Sequence, residues 1–145
     1  MSVSNLLLEL VNKQMKHITK TINAGSEWQP ELLMVKREAV AVLVFSDIPI
    51  PMDMAAFIVR LLRPDAYCFA AEAWATPPEP GPYHRGDIEK SEARMEIVVQ
   101  VWCVNGGQQN FRMFTIDRIN NKLDPFETGF PQEELKFETK LPSNW

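Results

Sequence analysis

Leu8, Val11, Met15, Ile18 and Ile22 recur three and four positions apart, the spacing that puts side chains on one face of a helix. Asn23-Ala24-Gly25 supplies the stop, with Gly suited to the left-handed position past a helix end. Lys13, Lys16 and Lys20 fall on the other side. The plainest use of such a helix is to cover a sheet and keep its lysines in water. A short dimerising helix or a phosphate-contacting surface are the sharper uses, and two heptads are too few for a coiled coil. From Glu31 to Phe45 the pattern shortens to ELLMV and AVAVLVF, joined by Lys36-Arg37-Glu38. Two strands with a polar turn fit best, with a single bent strand as the alternative. Ser46 to Pro51 breaks the run, and Pro51 suits the first turn of a second helix. Met54, Phe57, Ile58 and Leu61 make that helix's inner face, and Pro64 ends it just after Arg63.

Two longer strand-like runs follow, 65–75 (DAYCFAAEAWA) and 93–105 (ARMEIVVQVWCVN), separated by a Pro/Gly-rich connection from Thr76 to Gly86. Asn105-Gly106-Gly107-Gln108 signals a hairpin, because successive glycines permit the positive φ angles of tight primed turns. It leads into a third strand, 111–119 (FRMFTIDRI), closed by Asn120-Asn121. The pattern is lost from Asp124 onward. The order is helix, two strands, helix, then a three-stranded antiparallel meander, which predicts an α+β fold with the helices on one face of a mainly antiparallel sheet. Residues 1–123 form the single domain expected of this chain. Residues 124–145 are an irregular tail, packed on the domain or frayed toward its end, with Phe126 and Phe130 as the aromatics that would pack locally.

Composition narrows the picture only modestly. A chain of 145 residues suits one domain, and 46% hydrophobic with 23% charged residues argues against wholesale disorder. The formal charge of −4 argues against a protein held to nucleic acid mainly through phosphates, although it leaves room for a local basic patch at Lys13, Lys16 and Lys20. Cys68 and Cys103 each sit in an apolar run and read as small buried hydrophobes rather than as a disulfide. No signal-peptide pattern opens the chain and no run reaches the length of a membrane span, so a cytoplasmic location is the default expectation.

Candidate chemistry lies where the two long runs carry charge. Alternation puts Glu72 on one face with Cys68, Ala70 and Trp74, and puts Arg94, Glu96, Val98, Gln100 and Trp102 together on the next run. The opposite set, Met95, Ile97, Val99, Val101 and Cys103, is wholly apolar and must face the core. Paired as a hairpin, the runs bring Glu72 near Arg94 and Glu96 on an outer, semi-polar surface. Two facing carboxylates repel, so Arg94 or a cation must neutralise them. The bland account is a solvent-exposed ion-pair ladder worth at most about 1 kcal/mol. The functional account is a groove floored by Glu72 and Glu96 and walled by Trp74 and Trp102, with His84 at its mouth as a base or ligand. The chain has no H-E-x-x-H, no C-x-x-C, no phosphate-binding glycine loop and no nucleophile elbow, so neither a catalytic set, a metal centre nor a cofactor is assigned.

The segment DAYCFAAEAWA, the proline-rich loop and SEARMEIVVQVW together resemble small uncharacterised prokaryotic and phage-associated domains, in which an E-A-W strand precedes a loop and a strand opening with Arg and Glu. The resemblance spans about residues 30 to 120, rests on Glu72, Ala73, Trp74, Arg94 and Glu96, and implies no activity. The sequence therefore points to a non-catalytic domain acting through protein contacts, self-association included, because the face carrying the two tryptophans needs a cover. The alternative is a small metal-assisted hydrolase or ligand-binding protein using Glu72, Glu96 and His84.

Overall fold

The computed structural model describes residues 2–75, 95–125 and 139–145. Its elements run α1 (Val3–Asn23), β1 (Glu31–Lys36), β2 (Ala39–Val44), α2 (Pro51–Leu62), β3 (Ala66–Ala75), β4 (Met95–Val104), β5 (Asn110–Asp117) and β6 (Lys122–Pro125). The strands form one antiparallel sheet in the order β2-β1-β3-β4-β5-β6. The α+β class and the antiparallel meander follow the sequence pattern. A fourth strand, β6, extends the meander across the expected start of the irregular tail.

The helices do not share a face. Alternate residues of the central strands feed two separate cores. Leu32, Met34, Tyr67, Phe69, Val99 and Val101 meet α2 through Ala55, Ala56 and Val59. Cys68, Ala70, Val98 and Ile116 turn the other way and meet α1 through Val11, Met15, Ile18 and Ile22. The physical reason is visible in β3 and β4. Both runs are apolar at nearly every position, and a strand apolar on both sides must be covered on both sides. Only Glu72, Glu96 and Gln100 had suggested a wet face, and Gln100 is fully buried.

α2 also lies on the sheet by a face other than the one its large residues suggested. Ala55, Ala56 and Val59 are buried, whereas Met54, Phe57 and Leu61 are exposed, Phe57 by 61% and Leu61 by 64%. Ile58 alone of the expected inner set is partly buried against the core. Bulk on the sheet side explains the choice: Tyr67 and Phe69 of β3 fill the space, and small helix residues let the helix come close.

Turns fix the register. The β1–β2 connection is a two-residue turn with both Arg37 (φ 51°) and Glu38 (φ 67°) in the left-handed region, and Lys36 opposite Ala39. That is the type I′ geometry, occupied here by residues that tolerate it poorly. Gly25 (φ 69°) follows α1 as expected. The β4–β5 connection is longer than a primed two-residue turn: Trp102 pairs with Asn110, and only Gly106 (φ 80°) has positive φ. Gly107 N–H closes that turn onto Val104 C=O at 2.8 Å.

The end of the chain is docked, not frayed. Leu141 is buried in the α2-side core, Tyr67 Oη donates to Pro142 C=O at 2.8 Å, and Trp145 Nε1 donates to Pro64 C=O at 2.6 Å. Lys140 and Asp53 add an ion pair on α2 at 3.1 Å. Phe126, Phe130 and the proline-rich loop lie outside the described residues.

Candidate functional site

The β3–β4 register sets Glu72 opposite Val98 and Trp74 opposite Glu96, so Glu72, Trp74 and Glu96 do share a face. The cation between the carboxylates is Arg118, a residue the sequence did not single out. Its Nη2 lies 3.0 Å from Glu72 Oε2 and 2.8 Å from Glu96 Oε2, and its Nε also donates to Glu96 at 3.1 Å. Arg118 is presented by a tight turn after β5. Asp117 Oδ1 accepts the N–H groups of Ile119 and Asn120 at 3.0 Å each, and Asn120 Nδ2 donates to Asp117 Oδ2. These bonds, the Asn120 side chain first, hold the Asp117 carboxyl below its usual range. Hydrogen bonding to Glu96 raises the already high Arg118 pKa. Parity along the third strand carried the clue: Arg112, Phe114, Ile116 and Arg118 are two apart and share the face of Glu96 and Gln100.

The groove walled by two tryptophans does not form. Trp102 stands opposite Cys68, four residues along β4 from Val98, or about 13 Å away. Gln100 and Val98, both under α1, lie between it and the carboxylates. Trp102 instead packs beside α1 and lies under the Arg112 guanidinium, 5.6 Å from ring centroid to Cζ. His84 and Arg94 lie outside the described residues. Among the described residues no group of three or more His, Cys, Asp or Glu is placed to hold a metal ion.

The Gln100 end of what the sequence read as an outer polar face is a buried polar network beneath α1, while the Glu72–Glu96 end stays exposed. Gln100 Nε2 donates to Val11 C=O and to Gln14 Oε1, both at 2.9 Å. Arg112 Nε donates to Gln100 Oε1 at 2.7 Å, and the Cys68 thiol donates to Gln14 Oε1 at 2.9 Å. Gln14 reaches on to Glu31. Each member has a partner, as buried polar groups require. Burial pushes the Cys68 thiol up to about 12 and raises Cys103 as well, so both are poor nucleophiles. Both are free and fully buried.

Among the described residues, exposed apolar side chains gather at the other end of the sheet. Every residue of β2 is exposed, Val42 and Val44 by 56% each. On α2, Met54, Phe57, Leu61 and Leu62 are exposed together with Ile50 before it. A shallow groove of about 420 Å³ runs there, lined by Ile48, Pro49, Ile50, Asp53, Met54 and Phe57. Lys36 Nζ donates to Leu62 C=O at 2.7 Å, which ties the end of α2 to the β1–β2 turn. Asp53 and Arg60 hold the C-terminal segment on the opposite flank of the helix. No helix among the described residues is long and apolar enough to cross a membrane.

No family model matches the chain, and no curated protein or solved structure matches it either.

Proposed function

We propose that this chain acts through protein–protein contact, with association between copies as part of its function. The observation that carries the reading is the apolar surface of β2 and α2. Nine large apolar side chains there, Val40, Val42, Leu43, Val44, Ile50, Met54, Phe57, Leu61 and Leu62, are each between 36% and 64% exposed. Val40, Val42 and Val44 lie on the α1 face of this sheet edge and Leu43 and α2 on the other, so each face carries exposed apolar side chains of the kind that mark an interaction surface. The two buried free cysteines fit a reducing, cytoplasmic setting.

The metal-hydrolase alternative draws less support. Its two carboxylates already share a guanidinium at the position a cation would take. Nucleic-acid binding through Lys13, Lys16 and Lys20 has only the solvated side of α1 behind it, in a chain of net charge −4. Sedimentation equilibrium from low to high micromolar concentration tests the favoured reading. Mass rising with concentration supports self-association; a strict monomer throughout removes it.

A further inference from the structure

Resting on that reading, we infer that two copies join edge to edge through β2, in one register centred on Val42. The argument starts from the backbone. Phe45 N–H donates to Pro30 C=O at 2.9 Å, and the ladder places Glu31 opposite Val44. Hydrogen-bonded and non-bonded pairs alternate along an antiparallel ladder. The bonded partners of β1 are therefore Phe45, Leu43, Ala41 and Ala39. Val40, Val42 and Val44 turn their N–H and C=O groups the other way. Among the described residues β2 has β1 as its one neighbour, so those groups line an open sheet edge.

That edge is self-complementary. A second antiparallel β2 related by a twofold axis through the sheet must pair residues of the same parity, so that side chains stay on their own faces. One register uses every free group: Val42 opposite Val42 of the second copy, and Val40 opposite its Val44. Each such pair exchanges two main-chain hydrogen bonds. The valines then form a continuous β-branched row that extends the row of Val35 and Leu33 beneath α1. On the other face Ala41 falls opposite Leu43, a small residue against a large one. The same register brings the turn at Arg37 beside Asp47 of the second copy, at both ends of the paired strands, with Glu38 beside Ser46.

The two edges of the sheet differ in how they are guarded. β6 is four residues long and carries Lys122, Asp124 and Pro125, devices that discourage pairing. β2 is six residues of Ala, Val and Leu with no charge, no proline and no glycine. An unguarded edge of this kind is a template for another strand, and the Arg37–Asp47 charge pairing at both ends of this register favours a second copy of this chain.

Two variants test this on the full chain, read by sedimentation and by oxidative cross-linking. Val42→Pro removes an N–H that makes no bond to β1, so the fold should persist with an unchanged circular dichroism spectrum while the dimer is lost. Val42→Lys is the second route to the same result if proline disturbs folding. Val42→Cys places two thiols across the axis with Cα atoms about 5.5 Å apart, within disulfide reach. Val44→Cys would hold them about 13 Å apart, out of reach. Cys68 and Cys103 are buried, so a mild oxidant reads the new thiol. Near-complete cross-linking of Val42→Cys with none for Val44→Cys is the expected result. A wild-type dimer that survives Val42→Pro or Val42→Lys, or links equally at both positions, overturns the register and leaves self-association standing. A wild-type chain that stays monomeric overturns both and leaves the edge to a strand of a different protein.

Discussion

Arg112 Nε–H donates to Gln100 Oε1 at 2.7 Å, a side-chain bond between directly paired residues of β5 and β4 underneath α1. Burial lowers the Arg112 pKa from its usual value, yet the group remains a cation, and Trp102 and Phe114 place their rings near it. Gln100 is the hinge of the arrangement because it accepts from Arg112 while donating to Gln14 and to Val11 of α1.

Gln100→Leu should therefore cost about 2–3 kcal/mol, although leucine is the more hydrophobic residue. It strands the Arg112 Nε–H, a charged donor, without its acceptor and leaves Gln14 Oε1 with the Cys68 thiol as its donor. Urea unfolding should show a lower midpoint with an unchanged slope. A midpoint at or above that of the wild type would mean that water replaces the lost bonds.

The β1–β2 turn stores strain that a two-residue exchange can release. Arg37 and Glu38 both sit at positive φ, a cost of roughly 1–2 kcal/mol per residue relative to residues that accept it. Arg37→Asn with Glu38→Gly should raise stability by about 1–2 kcal/mol, since Asn-Gly is the preferred type I′ pair. The Arg37 main-chain N–H donates to Asp65 Oδ2 at 2.8 Å, and an asparagine there keeps that donor. Thermal unfolding of the double variant checks this, and an unchanged melting temperature would argue against strain.

Stability should decline at alkaline pH. The Cys68 thiol ionises near 9.0 when unfolded and near about 12 when folded, so the folded chain retains a proton that the unfolded chain releases. The stabilisation is fully present below pH 9 and is lost as pH climbs through 12, with a slope of about 1.4 kcal/mol per pH unit for one such group. Tyr67, raised by burial, adds to the loss above pH 10. Cys68→Ala should flatten the pH 9–10 portion of the curve. If urea midpoints fall equally steeply with alanine at this position, the thiol is not the cause.

Arg118→Gln should weaken the fold by less than about 1 kcal/mol, because the cluster is solvent-exposed. The loss should shrink further in high salt. The same variant exposes the Glu72 and Glu96 carboxylates to solution cations. Unfolding scans with added magnesium, calcium or zinc should show no upward shift for it; a clear shift with one ion would revive the metal reading.

The course of the chain was legible from the residues because it depends on local chemistry. The helix spacing of Val11, Met15, Ile18 and Ile22 (Leu8, read with them, is exposed and Leu7 is buried in its place), the break before Pro51, and the alternation that sets Glu72 and Glu96 on one side all operate over a few positions. Gly106 marked a turn for the same reason. Which partner each residue meets was not legible in this way. Arg118 reached Glu72 across two strands, and nothing within either segment announces a neighbour 46 positions away.

The misreadings share a cause. Met54, Phe57 and Leu61 have the spacing of a buried stripe, and Gln100 has the polarity of a wet face, yet burial depends on what a residue is packed against. Tyr67 and Phe69 required a slim helix face, so α2 turned Ala55, Ala56 and Val59 inward and left its largest side chains in water. By itself the sequence determined both helices, the strands up to β5 and the parity of their faces, since those follow from backbone geometry one residue at a time, but not the short β6. The tertiary structure alone decided which faces are closed, by α1 over the polar row and by α2 over the aromatic one. It also left β2 at the sheet edge, because the order of strands is a property of the whole packed sheet.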